Sequence, residues 1–155
     1  MFGLGLGSLI GGRLSDTSGR KLLYYFIGFE ISIGLFGLIS NPLIEYVSAI
    51  ALDVSTTYLP AIIFGILFIP TFAMGATLPV LVSYLFKKNK SVGNTVSRLY
   101  YINTLGSAIG CLITVGVLFI FGTRQFAIYT AVGINFTIAL VTYLNLRKKG
   151  VSHEA

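Results

Sequence analysis

Of the 155 residues, 55% are hydrophobic and only 10% charged, with a mean hydropathy of +0.87, whereas a water-soluble domain carries about a quarter charged residues. Eleven lysines and arginines against five acids give a net charge of +6, but the basic residues sit at the ends of apolar runs and form no patch, which excludes nucleic acid as the partner and makes them topology signals. Cys111 is the single cysteine, so an intrachain disulfide is excluded, and the apolar start at Met1 has no positive n-region of a cleavable signal peptide.

Five apolar segments follow one another, and helix is the only state that satisfies their backbone within lipid. The first, residues 1–12, would span only about 18 Å at helical rise, against a hydrocarbon core of about 30 Å. Its Gly3, Gly7 and Gly11 form a small-xxx-small ladder suited to close packing on another helix. A dinucleotide-binding loop does not fit these glycines, because no strand precedes them and the G-x-G-x-x-G spacing is not met. The short segment reads as a truncated span: either its upstream half-helix is missing or the reading frame is cut. A charged hairpin follows, with Gly12, Asp16, Gly19, Arg20 and Lys21 in the spacing G-x-x-x-D-x-x-G-R-K. Its glycine suits close helix approach, and its aspartate can pair with a cation or cap a helix. An ordinary positive turn after a membrane helix is the simpler alternative.

The second segment runs over about 22–39 and holds Glu30 nine residues in, roughly 12 to 13 Å deep by helical rise. An ionised carboxylate there costs on the order of 3 kcal/mol, so it needs a partner, a hydrated cavity or a proton. A cation or proton site and a hydrogen-bonded packing carboxyl both satisfy that need. In residues 40–57, Asn41 and Pro42 resemble a helix cap and first turn. Leu43, Val47, Ile50 and Val54 recur at helical spacing with Glu45, Ser48 and Asp53 off the stripe, which predicts a short helix on the outer surface. A plain hydrophobic loop is the alternative.

The third segment, about 58–86, contains Pro70 and Pro79, which disturb the carbonyls of Ile66 and Gly75. Thr71 and Thr77 are placed to satisfy freed groups locally. The kink set Gly75, Pro79 and Pro70 suits either a gate near the midplane or a static bend. The fourth segment, 99–121, carries Asn103, Gly106, Gly110 and Thr114 on one face with Ser107 and Cys111 beside it. Gly106 and Gly110 favour close helix packing, while Asn103 and Thr104 suit the entrance of a small-molecule path. The fifth, 126–146, places Asn135 about midway, at a depth to partner Glu30.

Alternating spans put Arg13, Arg20, Lys21, Lys87, Lys88, Lys90, Arg98, Arg147, Lys148 and Lys149 on one side, which the positive-inside rule makes cytoplasmic. Only Arg124 falls on the other, with Glu45 and Asp53. Tyrosines near the segment ends supply an interfacial belt in a chain without tryptophan. The fold class is therefore all-α: a polytopic bundle with four full spans and a truncated N-terminal span. It occupies residues 1–149, with a short cytoplasmic tail at 150–155, and is expected in the plasma membrane.

The hairpin spacing resembles the cytoplasmic loop between the second and third helices of major facilitator transporters. Residues 3–8 leading into 11–16, residues 29–38, residues 74–79, and residues 101–106 with Gly110 and the Phe121-Gly122 turn resemble the membrane part of the fused spermidine synthase-like family. The resemblance implies a bundle similar to a major facilitator half, which in that family precedes a cytoplasmic aminopropyltransferase domain and is itself preceded by further helices. The family's glycine-rich nucleotide loop and catalytic aspartates are absent here, so the resemblance carries over a membrane domain and no enzyme activity. It implies a transporter-like or substrate-channelling role for a small, polyamine-like cation, or a non-transporting anchor for an aminopropyltransferase encoded elsewhere. Expected partners are the lipid bilayer, a second copy or a missing segment, and that soluble enzyme; no cofactor, metal site or catalytic grouping is expected.

Overall fold

The computed structural model describes residues 1–50, 58–89, 91–118, 120 and 122–151. Among these residues there are five α-helices and no strand: α1 (Phe2–Leu14), α2 (Gly19–Ile50), α3 (Leu59–Asn89), α4 (Val92–Ile113) and α5 (Arg124–Val151), with a π-helical turn at Thr114–Leu118 after α4. Four are long and apolar enough to cross a membrane, at Gly19–Ala49, Leu59–Lys87, Gly93–Leu118 and Arg124–Lys148. The fifth, α1, has 13 residues.

The packing order is α1 on α3, α3 on α2, and α2 on α5, with α4 resting more lightly on α3. Leu22 and Val80 are fully buried between α2 and α3, with Phe26 beside them and Phe29, Leu81 and Tyr84 around the edge. Ile27, Ala139 and Leu146 join α2 to α5. These pairings make α2 antiparallel to both neighbours. Within lipid, such contacts stabilise by close van der Waals packing rather than by removal of apolar surface from water. The glycines of α2 make the approach of α5 possible: a Cβ on Gly34 would lie 3.1 Å from Phe136 Cε1, and one on Gly37 would lie 2.6 Å from Val132 Cγ2.

The α1–α3 contact is closer still, backbone against backbone. A Cβ on Gly3 would meet Thr71 Oγ1 at 2.2 Å, one on Gly7 the Phe72 carbonyl oxygen at 2.1 Å, and one on Gly11 the Ala76 carbonyl oxygen at 2.6 Å. From the other side, a Cβ on Gly75 would lie 2.3 Å from the Leu4 carbonyl oxygen. Contacts advance along both helices together, so α1 runs parallel to α3. Phe2 continues the contact, its ring centroid 6.2 Å from those of Phe64 and Phe68, in a ladder that extends to Phe72. The close approach read into Gly12 falls one residue earlier, on Gly11. Gly12 faces open space, because one helical step of about 100° turns it off the contact line.

Several boundaries differ from the sequence expectation. α2 continues through Asn41 and Pro42 to Ile50, so this pair is no cap and no separate surface helix begins there. A proline mid-helix removes one bond, and Ser40, whose hydroxyl donates to the Gly37 carbonyl at 2.7 Å, works at the same turn. Of the predicted amphipathic stripe, Leu43 and Val47 are half-buried on this extension and Glu45 and Ser48 are exposed, while Asp53 and Val54 lie outside the described residues. α4 starts at Val92 rather than 99, because the polar turn 93–98 has no helix breaker beyond its first glycine. The π turn was not foreseen; Thr114 donates its hydroxyl to the Gly110 carbonyl at 2.7 Å where the ladder changes.

Candidate functional site

Polar groups organise the contact between α1 and α3. Pro79 has no amide hydrogen, which frees the Gly75 carbonyl within α3. The sequence suggested Thr71 and Thr77 as local donors, but their hydroxyls go to Leu67, Phe68 and Met74. The Gly75 carbonyl instead accepts the Ser8 hydroxyl of α1 at 3.1 Å. Further along, Ser15 donates to Gly11 at 2.8 Å and reaches the Pro79 carbonyl at 3.3 Å. α3 remains one helix through Pro70 and Pro79.

The hairpin after α1 is held by a residue from outside the motif. Lys87, near the end of α3, donates its ammonium to the Ser15 carbonyl at 3.2 Å and to the Thr17 carbonyl. Ser15 caps α1 and Thr17 lies in the turn just beyond it, at a helix C-terminus, where a cation is favoured. Asp16, Arg20 and Lys21 are exposed, and Gly19 is half-buried beside Tyr84. Asp16 therefore neither caps a helix nor forms an ion pair among the described residues.

A cleft of about 720 Å³ lies where all five helices meet. Glu30 of α2 and Gly75 of α3 are buried at its floor; Met74 and Asn103 are exposed at its mouth. Glu30 is only 8% exposed and has no hydrogen bond or ion pair among the described residues. It is eleven residues beyond the start of α2 at Gly19, about 17 Å along the helix. The added first residues, Gly19, Arg20 and Lys21, are the polar end of the helix, so its depth within the apolar run stays as the sequence suggested.

The structure brings Glu30 and Asn103 to the same cleft, with Gly106 and Ser107 on the α4 wall. Thr104 is not among the lining residues. Asn135 is also turned away: its amide donates to Ala131 on its own helix at 3.0 Å, and its neighbours Ile134 and Ile138 line the cleft instead. Gly106 and Gly110 meet nothing that a Cβ would touch. Among the described residues they pack no helix, and residues 100–113 of α4 are exposed throughout. Reading the sequence missed Ser8 and Thr77 as lining residues; the sole signal was a hydroxyl next to a ladder glycine and another two before a proline.

Four apolar crossings around a cleft with one buried acid define a multi-pass membrane helix bundle. No known protein family, curated protein or solved structure matches the chain.

Proposed function

We propose that this bundle handles a small cationic solute, as a transporter-like or substrate-channelling membrane domain, with Glu30 as the group that receives the positive charge. The observation that carries the reading is a carboxyl buried at membrane depth, facing a cleft and without a partner in the described chain. A purely structural helix has no need of so costly a group. Asn103 lies on the opposite wall as an uncharged hydrogen-bonding group. The reading assigns no catalytic step to any residue. Its finer parts follow the spermidine synthase-like resemblance: a major facilitator-like half bundle in the plasma membrane, a cytoplasmic C-terminus, and a polyamine-like solute. The exposed α4 suits a second copy, since half of such a bundle encloses a path only between repeats.

The test is thermal stabilisation of the purified protein in detergent by a panel of organic cations, for wild type and Glu30→Gln. A ligand stabilises only the state it binds, so at least one cation should raise the wild-type midpoint and leave that of Glu30→Gln unchanged. An anchor for a soluble aminopropyltransferase predicts no shift with any cation in either protein, and that result would discard the proposal.

A further inference from the structure

We infer that the ligand of the Glu30 cleft is a monovalent organic cation with an apolar body, entering sideways from the bilayer, rather than a polyamine arriving from water. The inference rests on the proposed role of Glu30 and narrows the class of solute.

The first ground is charge. Among the described residues, Glu30 is the only ionisable one that lines the cleft. A second or third ammonium on the same ligand would meet no counter-charge there, and an unpaired charge away from water is costly. The other polar groups are neutral, and the three hydroxyls among them are restricted in orientation. The hydroxyls of Ser8, Thr77 and Ser107 each donate to a backbone carbonyl, of Gly75, Met74 and Asn103 respectively. Towards a ligand they present lone pairs, which suits one N–H or one diffuse positive charge.

The second ground is the rest of the wall. Phe26, Leu78, Leu81, Ile102, Ile134 and Ile138 surround the acid, so most of a ligand's surface would touch hydrocarbon. A pocket of about 720 Å³ lies within the usual range for a drug-sized molecule, roughly 300–1,000 Å³.

The third ground is the mouth. Met74 is at the midpoint of α3 and is 50% exposed. Asn103 is exposed about 7–8 Å beyond Arg98 by helical rise, and Ser107, one turn deeper, is exposed too. All three line the cleft, so its open side runs along the spans, from near the cytoplasmic end of α4 towards the midpoint of α3. An amphiphilic cation dissolved in the bilayer is concentrated at that opening, whereas a fully hydrated polycation is not.

The probes are tetraphenylphosphonium and spermidine, each in equilibrium dialysis against the purified full chain in detergent. Wild type should bind tetraphenylphosphonium saturably at one site per chain. Glu30→Gln should weaken binding about tenfold or more, and spermidine should neither bind nor compete. Gly106→Leu should weaken binding similarly by filling the α4 wall; a Cβ there meets nothing within 4 Å, and with an unfolding midpoint in detergent equal to that of wild type this variant carries the test should Glu30→Gln fail to fold. Glu30-dependent binding of spermidine without tetraphenylphosphonium binding overturns this inference and leaves Glu30 as a cation site. Tetraphenylphosphonium binding unaffected by both substitutions, or no binding of either cation by wild type, overturns this inference, and the proposed function falls with it only if no cation of the panel stabilises wild type.

Discussion

The Ser8 hydroxyl on α1 donates to the Gly75 carbonyl on α3, the acceptor that Pro79 leaves without an amide partner one turn later. The same glycine lets the Leu4 backbone approach to a distance at which any Cβ would collide. One residue thus serves as contact surface and as hydrogen-bond acceptor, and α1 supplies both complements.

We predict that Ser8 and Pro79 are energetically coupled. Ser8→Ala leaves a carbonyl unsatisfied between helices and should cost about 1–2 kcal/mol, read as a lower unfolding midpoint in detergent. In a Pro79→Ala background the backbone of α3 can close its own bond to Gly75, so the same Ser8→Ala change should cost markedly less. Equal losses in both backgrounds would show that Ser8 stabilises through something other than the carbonyl freed by Pro79.

The glycines of α1 divide into two classes. Gly7 cannot take a side chain without moving the Phe72 backbone, whereas Gly5 faces open space. Gly7→Leu should therefore push α1 away from α3 and destabilise by about 1–3 kcal/mol or more, as overpacking does. Gly5→Ala should be neutral or stabilising by up to about 1 kcal/mol, since alanine is the better helix former. Disulfide trapping between cysteines placed at Gly3 and Thr71, where a Cβ on Gly3 would lie 3.1 Å from Thr71 Cβ, gives an independent readout: it should fall with Gly7→Leu and persist with Gly5→Ala.

The four crossings were legible because hydropathy and end charges are properties of each segment alone. The Gly3, Gly7 and Gly11 periodicity likewise marks one face of α1 without reference to its partner. The partner itself was not legible: nothing local to Pro79 says that its freed carbonyl is met by Ser8, more than sixty residues away in the chain. The same holds for Lys87, whose bonds to the α1–α2 turn depend on α3 running parallel to α1. Asn41-Pro42 misled because a polar-proline pair starts helices in water, whereas within a membrane protein a helix passes through it. Asn135 was at the right depth but one helical step from the cleft, an angle that depends on how α5 sits on α2. Glu30 stood out from its cost alone, and its position on a cleft required the whole bundle.

Orientation gives a further prediction. Lys87 and the Ser15–Thr17 carbonyls share one end of the bundle, and with the other basic residues that end should face the cytoplasm. Reporter tags after Lys149 and within 87–90 should both report cytoplasmic, and a tag beside Glu45 should report the opposite side. A tag after Lys149 on the external side would reverse the whole assignment, since the antiparallel contacts tie the remaining helices to it.

The α2–α5 seam offers the most demanding test of the packing. Gly37 has Val132 so near that an added Cβ would stand 2.6 Å from Val132 Cγ2, the end of a β-branched side chain with little rotamer freedom. Gly37→Ala gains helix propensity worth up to about 1 kcal/mol but incurs overpacking of about 1–3 kcal/mol, so the net change should be a modest loss of stability. Val132→Ala alone should also destabilise, by opening a small gap at a position only 6% exposed. Combined, the new methyl on α2 occupies the space vacated on α5, and the double variant should be more stable than the sum of the single losses by about 1 kcal/mol, within the usual range for residues in contact. Gly34 is the built-in control: its added Cβ would meet the Phe136 ring at 3.1 Å, so Val132→Ala should give Gly34→Ala no rescue. Additive losses for Gly37 and Val132, or equal rescue at Gly34, would mean that α5 does not sit on α2 in this register.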